Sequence, residues 1–149
     1  LERYRKPSNP QEENRYLYAL AAFEQPELAR RTYDLATSEV RTQNAPFVLQ
    51  LLVANRLNGP TTWERITADW DELVERFPAN ILPRMLDGVR TLCRTPEQAA
   101  AVAAFVNHHP LPAGGRTVEQ ILERLEVNVA FGQRVGPALA GLLADSVSS

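Results

Sequence analysis

The feature that most constrains this chain is the way its apolar stripes restart. Along nearly the whole sequence apolar residues recur three and four apart, and no stretch keeps the strict alternation of a half-buried strand. Proline and capping signals divide these stripes into segments. The first members of successive helix pairs begin near Gln11, Pro46, Asn80 and Thr117, intervals of about 34 to 37 residues and within the range of two-helix repeats. The expectation is an all-α chain of about eight helices, paired as antiparallel hairpins and stacked. No residue motif is shared among the units, so an irregular bundle of similar spacing is the alternative.

The strongest stripe is Asn58–Phe77. Trp63, Ile66, Trp70, Leu73, Val74 and Phe77 share one face of an expected single helix of about four turns, after an Asn58-Gly59-Pro60 turn. Thr61 and Glu64 have capping-box spacing. Both tryptophans lie here, and neighbouring helices should pack onto them. Glu72 and Arg76 sit four apart on the charged face.

The other segments are expected as follows. Leu1–Lys6 is the tail of a preceding helix, so residues 1–9 are tail plus linker. Asn9, Pro10 and Glu12 start a helix to about Phe23, with Tyr16, Leu17, Leu20, Ala21 and Phe23 inward. Pro26 opens the next, carrying Leu28, Tyr33 and Leu35. A third, with Pro46 early, buries Phe47, Val48, Leu51 and Leu52. Asn80–Cys93 reads as one helix with Pro83 in its first turn. Thr95-Pro96-Glu97-Gln98 is a capping box opening a helix to about Asn107, followed by a loop to Arg116. Thr117 and Gln120 form a further box. The helix they start ends at Gly132 or Gly136, and a short helix spans about Pro137 to Ala144. Residues 145–149 should be frayed.

A chain of 149 residues is one domain's worth and can bury a core. A net charge of −2 offers no reason to expect nucleic acid or an acidic membrane surface. No apolar run is long enough to span a bilayer, and Leu1–Lys6 lacks the apolar core of a signal peptide. The only methionine is Met85, so the chain reads as a piece of a longer protein. Its compartment is left open, with the cytoplasm as the default.

Few residues carry chemistry. Cys93 is the sole cysteine, which excludes an internal disulfide; it ends an apolar stripe and reads as a buried structural thiol. His108 and His109 are adjacent in a proline-rich loop and lack the i, i+4 spacing of helical metal ligands, so they read as surface polar residues. Ala113-Gly114-Gly115-Arg116-Thr117 is no Walker loop and reads as a turn feeding a helix. Asp71 and Glu75 belong to a solvated face. Asn128, polar on a buried stripe, should bond a neighbouring helix end. Arg84 interrupts the early turns of its helix; it reads as an exposed arginine or as a carboxylate-recognising one on a concave surface. No catalytic residue, metal site or cofactor site is expected in these residues.

Several motifs resemble one family in order along nearly the whole chain. Arg15-Tyr16-Leu17-Tyr18-Ala19-Leu20 is similar to the helix before the final hairpins of the large zinc aminopeptidases, the group of aminopeptidase N, the puromycin-sensitive enzyme and the endoplasmic-reticulum antigen-trimming enzymes. Arg41-Thr42-Gln43-Asn44 resembles that family's R-x-Q-D, with Asn44 in place of the acid. Asn58-Gly59-Pro60, Trp63 and Trp70-Asp71-Glu72-Leu73 resemble a shortened form of N-P-x-G…A-W…N-W-D-x-L. Pro112–Thr117, Gln120, Leu125 and Val127-Asn128-Val129 resemble its last hairpin. The resemblance implies an α–α superhelix, HEAT- or armadillo-like, that forms the noncatalytic C-terminal domain of a zinc aminopeptidase. Such a domain encloses and gates the peptide chamber. It further implies a catalytic domain in the same polypeptide that carries H-E-x-x-H, G-x-M-E-N and the zinc, peptide substrates, and Arg84 as a candidate chamber residue. The alternative functions are a free-standing helical-repeat scaffold for a protein partner and, with less support, a small-molecule-binding bundle.

Overall fold

The computed structural model describes residues 1–147. The described residues contain nine α-helices and one 3₁₀ turn, and no strand. The helices are α1 (Glu2–Arg5), α2 (Pro10–Leu20), α3 (Pro26–Ser38), α4 (Ala45–Ala54), α5 (Gly59–Ala68), α6 (Trp70–Arg76), α7 (Leu82–Leu86), α8 (Pro96–His108) and α9 (Gly115–Val147), with the 3₁₀ turn at Asp87–Thr91 between α7 and α8.

The all-α expectation holds, and the helix-start period has a spatial meaning. The four segments whose starts recur are α2, α4, α7 with the 3₁₀ turn, and α9, and each contacts the next. Between them in sequence come α3, α5–α6 and α8. Polar rungs cross between successive units at separations close to the sequence period. Arg5 donates to Glu39 at a separation of 34 residues, Asn58 to the Phe23 carbonyl at 35, Tyr33 to Asp69 at 36, Gln50 to Asp87 at 37, and Arg76 to the Ser38 carbonyl at 38.

The core is built around α4, which touches α2, α3, α5, α7 and the 3₁₀ turn. Being surrounded, it buries more than one stripe: Val48, Leu49, Leu52 and Val53 are all within 1% of full burial. Leu51, expected inside, is on the remaining open face and 39% exposed; Phe47 is half-buried. The Trp63 and Trp70 rings meet Phe105 of α8 edge-on, at centroid distances of 5.7 and 5.2 Å, the favoured aromatic geometry. The tryptophans are therefore packing residues, as expected.

Several boundaries differ from the sequence reading. Asn58–Phe77 is two helices, α5 and α6, broken at Asp69 (φ −93°, ψ 11°), whose carboxylate accepts the Tyr33 hydroxyl across the hairpin. The Thr61–Glu64 box does not form, because α5 begins at Gly59. The Asn58 side chain is occupied by the Phe23 and Glu24 carbonyls, and Thr61 falls inside the first turn. α2 ends at Leu20, and Phe23 is 43% exposed; its carbonyl is held by Asn55 and Asn58 instead. Asn80–Cys93 is not one helix either. It tightens into the 3₁₀ turn where Gly88 presses on α4, and a Cβ there would stand 2.4 Å from the Gln50 carbonyl oxygen.

The end of the chain differs most. α9 starts at Gly115, ahead of the Thr117–Gln120 pair, which lies within its first turns. It then continues through Gly132, Gly136 and Pro137 without a stop, so the separate Pro137–Ala144 helix is absent. α9 includes Asp145–Val147; Ser148 and Ser149 lie outside the described residues. Two signals were read correctly. Asn9 accepts the Glu12 amide at 2.9 Å, and the Thr95–Gln98 box closes in both directions.

Candidate functional site

Arg84 lies exposed on α7 and faces a cleft of about 660 Å³ between α7, the 3₁₀ turn and α9. The cleft depends on how those elements are pinned. Pro83 sits in the first turn of α7, where its missing N–H costs little. Gly114, at φ +84°, lets the loop before α9 close onto it, since a Cβ would approach the Pro83 ring to 2.4 Å. On the opposite side Gln50 of α4 donates to Asp87 at 3.0 Å. The Asn128 amide of α9 donates to the Arg90 carbonyl at 2.8 Å, the bond to a neighbouring helical element expected for this residue. The spacing between the two walls is thus set at both ends.

The lining is rich in cations. Arg84 and Arg90 come from one wall and Arg124 from the other, with Gln120 and Thr117 one and two turns before Arg124. Asp87 and Glu123 are the acids present. Asp87 is already engaged by the Arg90 guanidinium and by Gln50. Among the described residues no ion pair involves Arg84 or Arg124, so two guanidiniums stay available beside a hydroxyl and an amide. That donor set suits a carboxylate, which takes two parallel N–H bonds from one guanidinium. Sequence reading found only Arg84. Arg124, Thr117 and Gln120 were legible as the polar flank of the Ile121–Leu125 stripe, but not as neighbours of a residue some forty positions earlier.

The remaining candidates are structural. Cys93 is buried, and burial pushes its thiol above the ordinary range. His108 ends α8 rather than lying in the loop, because the helix extends one residue past Asn107. Each histidine directs Nδ1 at the carbonyl four residues back, Ala104 or Phe105. His109 also stacks on Phe105 at 4.1 Å. Asp71 and Glu75 are exposed. Among the described residues no group of three His, Cys, Asp or Glu side chains is placed to hold a metal ion, so these residues do not fit a zinc ligand set. No described helix is long and apolar enough to cross a membrane.

Known proteins share sequence with most of this chain. The family model described as ERAP1-like C-terminal domain matches residues 1–127. Glutamyl aminopeptidase of Homo sapiens is 31% identical over 137 residues, covering 88% of this chain and 14% of that protein. The Bos taurus protein of the same name is 30% identical with the same coverage. Aminopeptidase M1-C of Oryza sativa is 28% identical over 133 residues, covering 88% of this chain and 15% of its own. The chain therefore spans about one seventh of the length of these relatives.

Proposed function

The chain belongs to the ERAP1-like C-terminal domain family, and from that premise we propose that it is the noncatalytic C-terminal domain of a longer zinc aminopeptidase, where it encloses and gates the chamber in which peptides lose N-terminal residues. The observation that carries this reading is the family match over residues 1–127, from α1 into α9. The zinc and the cleavage chemistry would then belong to a catalytic domain of the same polypeptide.

In this reading the cleft of Arg84 and Arg124 opens toward the chamber and engages a carboxylate of the peptide. The donor set supports that role, and the relatives named glutamyl aminopeptidase make an acidic residue a fitting occupant. Gating would proceed by shear between hairpins joined through a few polar rungs, which can exchange partners without opening the core.

The test is made on the full-length enzyme. Arg84→Ala and Arg124→Ala should each raise KM for peptides with acidic residues about tenfold, the loss of one charge-assisted contact, and leave neutral peptides nearly unchanged. Equal effects on both classes would remove the cleft from substrate recognition. The 149-residue chain alone should release no aminoacyl fluorophore; zinc-dependent turnover by it would overturn the domain assignment.

A further inference from the structure

We propose that Asp87 sets the charge selectivity of the cleft by holding Arg90 back from the occupant, so that the cleft takes a single carboxylate in preference to a doubly charged group such as a phosphate monoester. The inference rests on the reading of this cleft as a carboxylate site. Three arginines, Arg84, Arg90 and Arg124, line it against two acids, Asp87 and Glu123. All three cations together would suit a dianion, but the geometry withdraws one of them. The Arg90 guanidinium pairs with Asp87 Oδ2, and its Nε donates to the Asp87 carbonyl at 3.1 Å. The side chain is thereby folded onto its own 3₁₀ turn. The Arg90 carbonyl is fastened separately, by Asn128 of α9, so the backbone is held as well.

Asp87 is placed to keep this hold. Its side chain is 19% exposed, against 38% for Arg90, and Gln50 of α4 donates to the same Oδ2 at 3.0 Å. Gln50 fixes the position of the carboxylate but brings no charge. A carboxylate covered to that degree is costly to leave without a cation, so an entering anion must compete with Asp87 for Arg90. What remains for the occupant is Arg84 and Arg124 with Glu123 beside them, a balance of one positive charge. That balance neutralises one carboxylate. A phosphate monoester carries a charge of about −1.5 to −2 at pH 7, and part of it would stay uncompensated in the cleft. Asp87 therefore acts through Arg90, as a positioning residue.

Two tripeptides test this, Ala-Glu-Ala and Ala-phosphoserine-Ala, each acetylated and amidated so that the middle residue carries the only charge. Their affinities for the 149-residue chain are read at low salt from the amide signals of Asp87–Thr91 and Thr117–Arg124. The native chain should bind the glutamate peptide at least as tightly as the phosphoserine one. Asp87→Asn keeps an oxygen for Gln50 and drops the charge that holds Arg90. It should tighten the phosphoserine peptide about tenfold, the gain of one charge-assisted contact, and the glutamate peptide less than about threefold. Asp87→Asn combined with Arg90→Gln removes both charges together and should restore the native ratio. An unchanged ratio in Asp87→Asn, or a gain that persists in the double variant, would overturn the proposal. So would a native chain that already prefers the phosphoserine peptide about tenfold, which would make the cleft a phosphopeptide site. Arg84→Ala separates the two readings: if it weakens the glutamate peptide while Asp87→Asn changes nothing, only the role of Asp87 falls. A native chain that binds neither peptide removes the carboxylate reading itself, and the selectivity with it.

Discussion

The Tyr33 hydroxyl donates to Asp69 Oδ2 at 2.8 Å, across 36 residues and at the break between α5 and α6. Around this bond Arg65 lies 4.1 Å over the Tyr33 ring and pairs with Asp34 at 2.7 Å and Asp69 at 3.6 Å. Burial, and next the bond to Asp69, push the Tyr33 phenol well above its ordinary range. Tyr33→Phe should cost about 1–2 kcal/mol, since a partly buried bond to a charged group is lost while Arg65 still attends Asp69. Denaturant unfolding of the two proteins measures it. A change below about 0.3 kcal/mol would show that the bond merely accompanies the break.

Gly88 is required by close approach, not by turn geometry. Its substitution to alanine would set a methyl 2.4 Å from the Gln50 carbonyl oxygen and 2.9 Å from Val53 Cβ. Both contacts belong to α4, which has core on several sides and little room to yield. Gly88→Ala should destabilise by about 2–3 kcal/mol, read from the thermal midpoint. Gly141→Ala, where nothing is within 4 Å, should be neutral or slightly stabilising.

Asn128 links α9 to the 3₁₀ turn through the Arg90 carbonyl. Asn128→Ala should cost about 1 kcal/mol. In amide exchange it should loosen Asp87–Thr91 more than α3, and an equal change in both would mean that the bond does not hold the cleft wall locally.

Acid should act on the start of α2 through Glu12. The Ser8 backbone amide, then the Tyr16 hydroxyl, bond the Glu12 carboxylate and hold it below the ordinary glutamate range. A depressed acid contributes stability above its unfolded pKa and loses it as pH falls through the folded value. The α2 N-terminus should therefore stay intact at neutral pH and fray below the usual carboxylate range, about pH 4. Glu12→Gln should remove this part of the pH dependence, seen in the Ser8 and Glu12 amide signals.

Cys93 should behave as a core residue. Burial raises its thiol above the ordinary range and restricts access. A disulfide reagent at pH 7 should react with the native chain many times more slowly than with the unfolded one. Equal rates would contradict the burial.

What the sequence by itself determined was periodic and local. Helical apolar spacing made the chain all-α, and prolines placed the starts of α2, α3 and α8, beside the short polar caps Asn9 and Thr95 in the first and last. The interval between helix starts is repeated in space as the polar rungs. These features are legible because each rests on residues within one or two turns of one another. The ordered motifs likewise identified the family, although none of them carries chemistry. Only the tertiary structure decided where side chains 30 to 40 positions apart overrule local signals. Tyr33 breaks the tryptophan stripe at Asp69, the Phe23 and Glu24 carbonyls claim Asn58, and Gly88 flattens a helix into a 3₁₀ turn against α4. It also brought Arg124 to Arg84, and it carried α9 past Pro137 into solvent. The cleft and the bare helix face are both products of distance in the chain, which no local pattern encodes.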